Sequence, residues 1–206
     1  MTDDGSVVVI KGGEGEKIQS GKFPMAGDGW CIITAKYEGT TVGIFIAYLA
    51  TEGMISQDAQ IGGLLPMMLE PGEATVVKTR GSLKNEDYVI YLEEADGPWT
   101  ITIQRSPVPE PVSGDSTFSG PRGNHVTPYF HLDQGYATFV CNQKAENRSS
   151  MGIELINADT GEFVTLLTDN TSNQYESRTE TVDVPATGNY IMKVYSSGDW
   201  DITYSQ

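Results

Sequence analysis

Two stretches decide how this chain is read: "YVIYLEEADGPWTITIQ" (88–104) and "YIMKVYSSGDWDITYSQ" (190–206). Each is an alternating run, a Gly-containing turn and a Trp that opens a second alternating run. Trp99, Ile101 and Ile103 fall on one side of the first, with Thr100, Thr102 and Gln104 on the other. In the second, Trp200, Ile202 and Tyr204 oppose Asp201, Thr203 and Ser205. A period of two marks a strand with one buried face. The short "EEADGP" and "YSSGD" segments make each pair of runs a hairpin. Trp99 and Trp200 are therefore expected inside, as anchors of a closing strand rather than exposed platforms.

The surrounding sequence also speaks twice. "IKGGEGEKIQSGKFPMAGDGW" (10–30) and "FSGPRGNHVTPYFHLDQGY" (118–136) align Gly12 with Gly120, Gly15 with Gly123, and Phe23 with Phe130. Met25 then meets Leu132, and Gly29-Trp30 meets Gly135-Tyr136. Further on, "VGIFI" (42–46) matches "MGIEL" (151–155), Tyr88 matches Tyr190, and Trp99 matches Trp200. A shared order of weak matches points to an internal duplication. Between the blocks lies "RSPVPEPVSGDS" (105–116), whose alternating prolines favour an extended, semi-stiff linker. No segment shows a capped helix, and "GGLLPMMLEPGE" (62–73) is interrupted by Pro66 and Pro71. The expected fold is all-β: two tandem antiparallel β-sandwich, jelly-roll-like modules, 1–104 and 117–206, arising from an internal repeat.

The second block resembles a β-sandwich module of secreted and surface proteins and lipoproteins of bacteria and archaea. The likeness rests on "GNHVTPYFHLDQGYATF", "IELINADTGEFVTLL", "VPATGNYIMKV" and "SGDWDIT", and covers roughly 118–206. The first block departs from it, carrying "EGMISQDAQIGGLLPMM" (52–68) where the second has its D-x-x-G-like turn. Such modules are similar in architecture to pre-peptidase C-terminal type domains and to carbohydrate-binding modules. The resemblance implies an accessory or binding role, placed extracellularly, at the cell surface or in the periplasm. It names no ligand.

Composition narrows the function classes. The formal net charge is −15, so no basic footprint invites nucleic acid or an anionic membrane. The longest apolar run, "VGIFIAYLA" (42–50), is too short to span a bilayer. "MTDDGSVVVI" begins acidic and does not read as a signal peptide, so either the protein is cytosolic or its leader lies outside this sequence. Cys31 and Cys141 are too few for a disulfide scaffold and lack metal-site spacing. Their alternation in "GWCIITAKY" and "GYATFVCN" puts both on inward faces, as buried free thiols. A single bridge, joining the two modules, is the other arrangement.

Catalytic signatures are missing. There is no G-x-S-x-G elbow, no H-E-x-x-H and no phosphate loop, and the only histidines are His125 and His131. Read as one extended stretch, those two face the same side but stand too far apart to share an ion. The chain is expected not to be an enzyme, with a secreted hydrolase fragment as a weaker alternative. No cofactor is expected. "NADTGE" (157–162) lacks the full calcium-loop series, which leaves room only for a weak structural calcium. The stronger specific alternative is a carbohydrate-binding module, in which exposed aromatic faces stack on sugars. Candidates for that face are Trp30, which falls opposite Cys31 and Ile33, its aligned counterpart Tyr136, and Tyr91 and Tyr195, which alternate away from the core. "NRS" and "NTS" make Asn147 and Asn170 glycosylation acceptors if the chain is exported through a glycosylating pathway. The expected partner is a protein or a glycan, bound by a monomer or weak homo-oligomer.

Overall fold

The structure is a computed structural model. It describes residues 1–3, 5–25, 29–39, 45–51, 65, 68, 70–80, 82–83, 86–105, 117–144, 150–168 and 177–206. Most of the linker stretch, and both Asn147 and Asn170, lie outside these. Among the described residues every regular element is a strand. The chain divides into two compact units, Met1–Pro107 and Val108–Gln206.

Unit 1 is two antiparallel sheets. The first runs β1 (Thr2–Asp3), β2 (Val7–Gly12), β9 (Trp99–Arg105), β5 (Cys31–Tyr37), β7 (Gly72–Lys78). In the second, β8 (Glu86–Ala95) is flanked by β3 (Gly15–Gln19), β4 (Phe23–Met25) and β6 (Phe45–Thr51). One apolar cluster takes side chains from both, among them Ile33, Ile101 and Ile103 from one sheet and Leu49, Tyr88 and Leu92 from the other. That makes it a sandwich. Alternation is the reason: Cys31, Ile33, Ala35 and Tyr37 are buried, while Ile32, Thr34 and Lys36 face outward. On the outer side Thr34 meets Thr75 across the strands at 3.3 Å, a pairing that suits a solvated sheet face.

Among the described residues unit 2 repeats the order of the paired strands, without a counterpart of β1 and with one further strand in its second sheet. One sheet runs β10 (Thr117–Gly120), β18 (Asp199–Ser205), β13 (Gly135–Lys144), β16 (Ser177–Val184). The other centres on β17 (Gly188–Ser196), paired with β11 (Gly123–Val126), β12 (Phe130–Leu132) and β14 (Met151–Asn157). An outer strand, β15 (Glu162–Thr168), completes it. Their shared core includes Phe139, Leu155, Tyr190 and Ile202.

Register corrects one of the sequence matches. Phe23 lies opposite Tyr88, and Phe130 opposite Tyr190. Thr51 pairs with that same Tyr88, and Asn157 with Tyr190. Counting back along each strand, Phe45 occupies the place of Met151. Both strands carry the same buried and outward pattern. Matching "VGIFI" to "MGIEL" by letters is therefore out of register. The conserved constraint is which side faces the core, and the Gly-Ile letters do not carry it.

Each sandwich is closed by pairing its first long strand with its last. Gly12 sits opposite Trp99, and Gly120 opposite Trp200. Both indoles are buried, as alternation predicts. Each lies flat over its glycine: a Cβ at Gly12 would come within 2.4 Å of Trp99, and one at Gly120 within 2.7 Å of Trp200. Burying such a side chain contributes on the order of 3 kcal/mol. Gly12→Ala should therefore destabilise unit 1 by about 1–3 kcal/mol through overpacking. Gly13→Ala, where a Cβ meets open space, should stay within about 0.5 kcal/mol. Urea unfolding followed by Trp fluorescence distinguishes the two; equal stability of both variants would contradict the packing argument.

Candidate functional site

Trp30 was expected on an outer face, and the structure overturns this: it is 4% exposed. It precedes β5, which begins at Cys31, so strand alternation does not govern its direction. It is buried outside the cluster between the sheets. Its aligned partner Tyr136 lies within β13 and is 73% exposed, opposite Asp183. Tyr91 is half-buried on β8, facing Tyr48 across the strands. Tyr195, on β17, is 40% exposed. Tyr136 and Tyr195 belong to different sheets of unit 2 and do not form one aromatic face.

The histidines also part company. The stretch that reads as one strand breaks at 127–129 into β11 and β12, and the parity between the two residues is lost. His125 lies opposite buried Val194, its ring 6.0 Å from that of Trp200. His131 is exposed and lies 3.8 Å from Asp133. Both cysteines are buried free thiols. They hold different places: Cys141 faces Ile202, where unit 1 sets Ala35 against Ile101.

Burial pushes the Cys31 thiol from 9.0 up to about 12 and, with Glu180 nearby, the Cys141 thiol likewise to about 12. A thiol held protonated is a poor nucleophile. Because the folded values are raised, the stability they contribute is fully present below pH 9 and is lost as pH rises towards 12. Two outcomes are expected: iodoacetamide leaves the native protein unmodified, and both thiols react once urea unfolds it. Rapid native labelling would contradict the burial of both residues.

In "NADTGE" the oxygens are already engaged. Asn157 Oδ1 accepts from the backbone N–H of Asp159 at 3.0 Å and of Thr160 at 3.1 Å. Gly161 takes φ 72°, which only glycine adopts easily. The Asp159 carboxylate accepts from the Asn189 backbone N–H at 2.8 Å and from its side-chain amide at 3.0 Å. The turn is thus tied to β17. Among the described residues no group of three or more His, Cys, Asp or Glu is placed to hold a metal ion.

What the structure does bring together is a hollow of about 300 Å³ on the outer face of the β17 sheet. Asn124, Tyr195 and Gly152 line up across β11, β17 and β14. One step along, Lys193, Glu154 and Leu166 line up across β17, β14 and β15. Gly152 is the floor: a Cβ there would meet nothing within 4 Å. Tyr195 and Leu166, the latter 48% exposed, form apolar walls. Lys193 donates to Glu154 at 2.9 Å, and the pair holds a polar strip between them. In unit 1 the place of Gly152 is taken by Ile46, opposite Glu94, so a side chain stands where unit 2 has none.

Alternation found only Tyr195 of this group. The available signal for the rest was Gly152, since a glycine inside a strand often marks a close backbone approach.

No family model matches the chain, and no curated protein matches it. A structure of infectious bursal disease virus, Gx strain, is similar at 11% identity, covering 99% of this chain and 73% of that one, with a TM-score of 0.28. The glycoside hydrolase domain of Endo-D from Streptococcus pneumoniae is similar at 11% identity, covering 92% of this chain and 33% of that one, with a TM-score of 0.27. A secreted protein from Parabacteroides distasonis is similar at 8% identity, covering 99% and 90%, with a TM-score of 0.24. Likeness at this level carries no information about ligand or chemistry.

Proposed function

We propose that this chain is a non-catalytic accessory segment of an exported or cell-surface protein, and that unit 2 binds glycan in the hollow over Gly152. The observation that carries the reading is the pairing of an absent side chain with an exposed aromatic one. Gly152 opens the sheet face beside Tyr195, which leaves a ring-sized recess with one aromatic wall. Sugars present apolar C–H faces and a rim of hydroxyls. Tyr195 and Leu166 suit the former; Asn124, Lys193 and Glu154 suit the latter. A flat partner protein would gain little from such a recess. The non-catalytic reading rests on two buried thiols and on histidines set in unrelated surroundings. The exported setting is supported by the acidic, strand-built sequence and by the resemblance of its second block. The common strand order of the two units supports duplication, followed by divergence of the outer face in unit 2.

Affinity electrophoresis through a panel of soluble polysaccharides, with a glycan array, tests this. At least one polysaccharide should retard the wild type. Tyr195→Ala should weaken that binding at least about tenfold, the equivalent of ~1.4 kcal/mol. Gly152→Ile reproduces the unit 1 residue and should abolish binding. It should leave thermal stability equal or higher, because glycine weakens a strand by up to about 1 kcal/mol. Binding by neither the wild type nor any variant would sink the proposal, as would unchanged binding by both variants.

A further inference from the structure

The two closing tryptophans differ in one respect. Trp99 Nε1 donates to the Gly13 carbonyl at 3.0 Å. Trp200 Nε1 is as deeply buried, yet meets no acceptor among the described residues. The chain supplies a reason. Gly12 and Gly120 hold the same place opposite their tryptophans, but the next residue is Gly13 in unit 1 and Pro121 in unit 2. The fixed φ of proline restricts how the chain leaves the strand, and the carbonyl that serves Trp99 has no counterpart serving Trp200. A buried donor left unmet is unfavourable and draws an acceptor to itself.

Trp200 also lines a cleft of about 320 Å³ at the edge of unit 2, between β10 and β11. His125, Thr127, Ser119, Pro121 and Pro128 share the lining. Thr127 Oγ1 already accepts from the Met192 backbone N–H at 2.9 Å, which leaves its own hydrogen to donate. His125 Nε2 lies 3.3 Å from the Arg122 carbonyl. With the proton on that nitrogen, Nδ1 is an acceptor. The cleft therefore mixes donors, acceptors and proline faces. Next to it, sharing Ser119, Gly120, Pro121 and Trp200, lies a second hollow lined by Asp199 and Asp201 as well as Lys144. Those carboxylates, on a chain of net charge −15, disfavour an anion.

We infer that this edge cleft is a second binding site, separate from the hollow over Gly152, for a small neutral molecule of sugar or polyol type. One ligand oxygen accepts the Trp200 Nε1–H, and ligand hydroxyls meet Thr127 and His125. The site is peculiar to unit 2, because in unit 1 the indole is satisfied internally.

The test follows the indole N–H signals of the full chain by ¹H–¹⁵N NMR. D-glucose, D-galactose, N-acetyl-D-glucosamine and glycerol are titrated in turn. The Trp200 signal, assigned by its loss in Trp200→Phe, should shift saturably with at least one of them while the Trp99 signal stays put. His125→Ala should weaken that titration about tenfold, the loss expected of one hydrogen bond. Pro121→Gly, which restores the unit 1 residue, should abolish it. Tyr195→Ala and Gly152→Ile should leave it unchanged, so failure of the sheet-face site and failure of this one are read separately. No saturable shift of the Trp200 signal with any probe overturns the inference. So does a shift that disappears in Tyr195→Ala.

Discussion

The contact on which each unit depends is an indole laid over a glycine in the neighbouring strand. It joins the first long strand of the sandwich to the last, Gly12 to Trp99 and Gly120 to Trp200. Pairing residues so far apart in the chain carries a large loop-closure entropy. The return is a large apolar side chain buried between the sheets at the point of closure. The glycine is the necessary partner, because any Cβ would occupy the space of the ring. Once that pair is set, the other inward residues of the closing strand follow by parity, Ile101 and Ile103 in one unit and Ile202 in the other.

The two units differ most where the core makes no demand. Most inward positions interchange apolar residues, as with Ala35 and Cys141, or Ile33 and Phe139; an exception is Tyr37, whose place opposite the closing tryptophan is held by buried Gln143 in unit 2. Several outward positions change character, although Thr102 and Thr203 on the closing strands match. Ile46 and Glu94 in unit 1 stand where unit 2 has Gly152 and Tyr195, and Tyr48 and Tyr91 stand where it has Glu154 and Lys193. The result is a recess over Gly152 in unit 2, at a place where unit 1 carries the side chain of Ile46. The buried end of the closing strand shows the same asymmetry in miniature, with Gly13 serving one indole and Pro121 following the glycine under the other.

The fold was largely legible because strand alternation is a local signal. Cys31, Ile33, Ala35 and Tyr37 read as one face in sequence and are one face in the structure. The candidate site was legible only in part. Tyr195 was found by parity. Trp30 was misjudged because it stands just before its strand, where parity no longer holds. The pairing of "VGIFI" with "MGIEL" failed because letters were matched where register was required. Leu166 escaped because irregularities in the β14–β15 pairing shift its register.

By itself the sequence determined the all-β class, the inward placement of Trp99 and Trp200, and the burial of both cysteines, because each depends only on which neighbours alternate along one strand. The tertiary structure alone decided that Gly152, Tyr195, Leu166 and Asn124 share a recess, and that one tryptophan is satisfied while its counterpart is not. Those relations run between strands. They are set by register and by the course of the chain after a strand ends, and neither is written in the spacing of residues along a single segment.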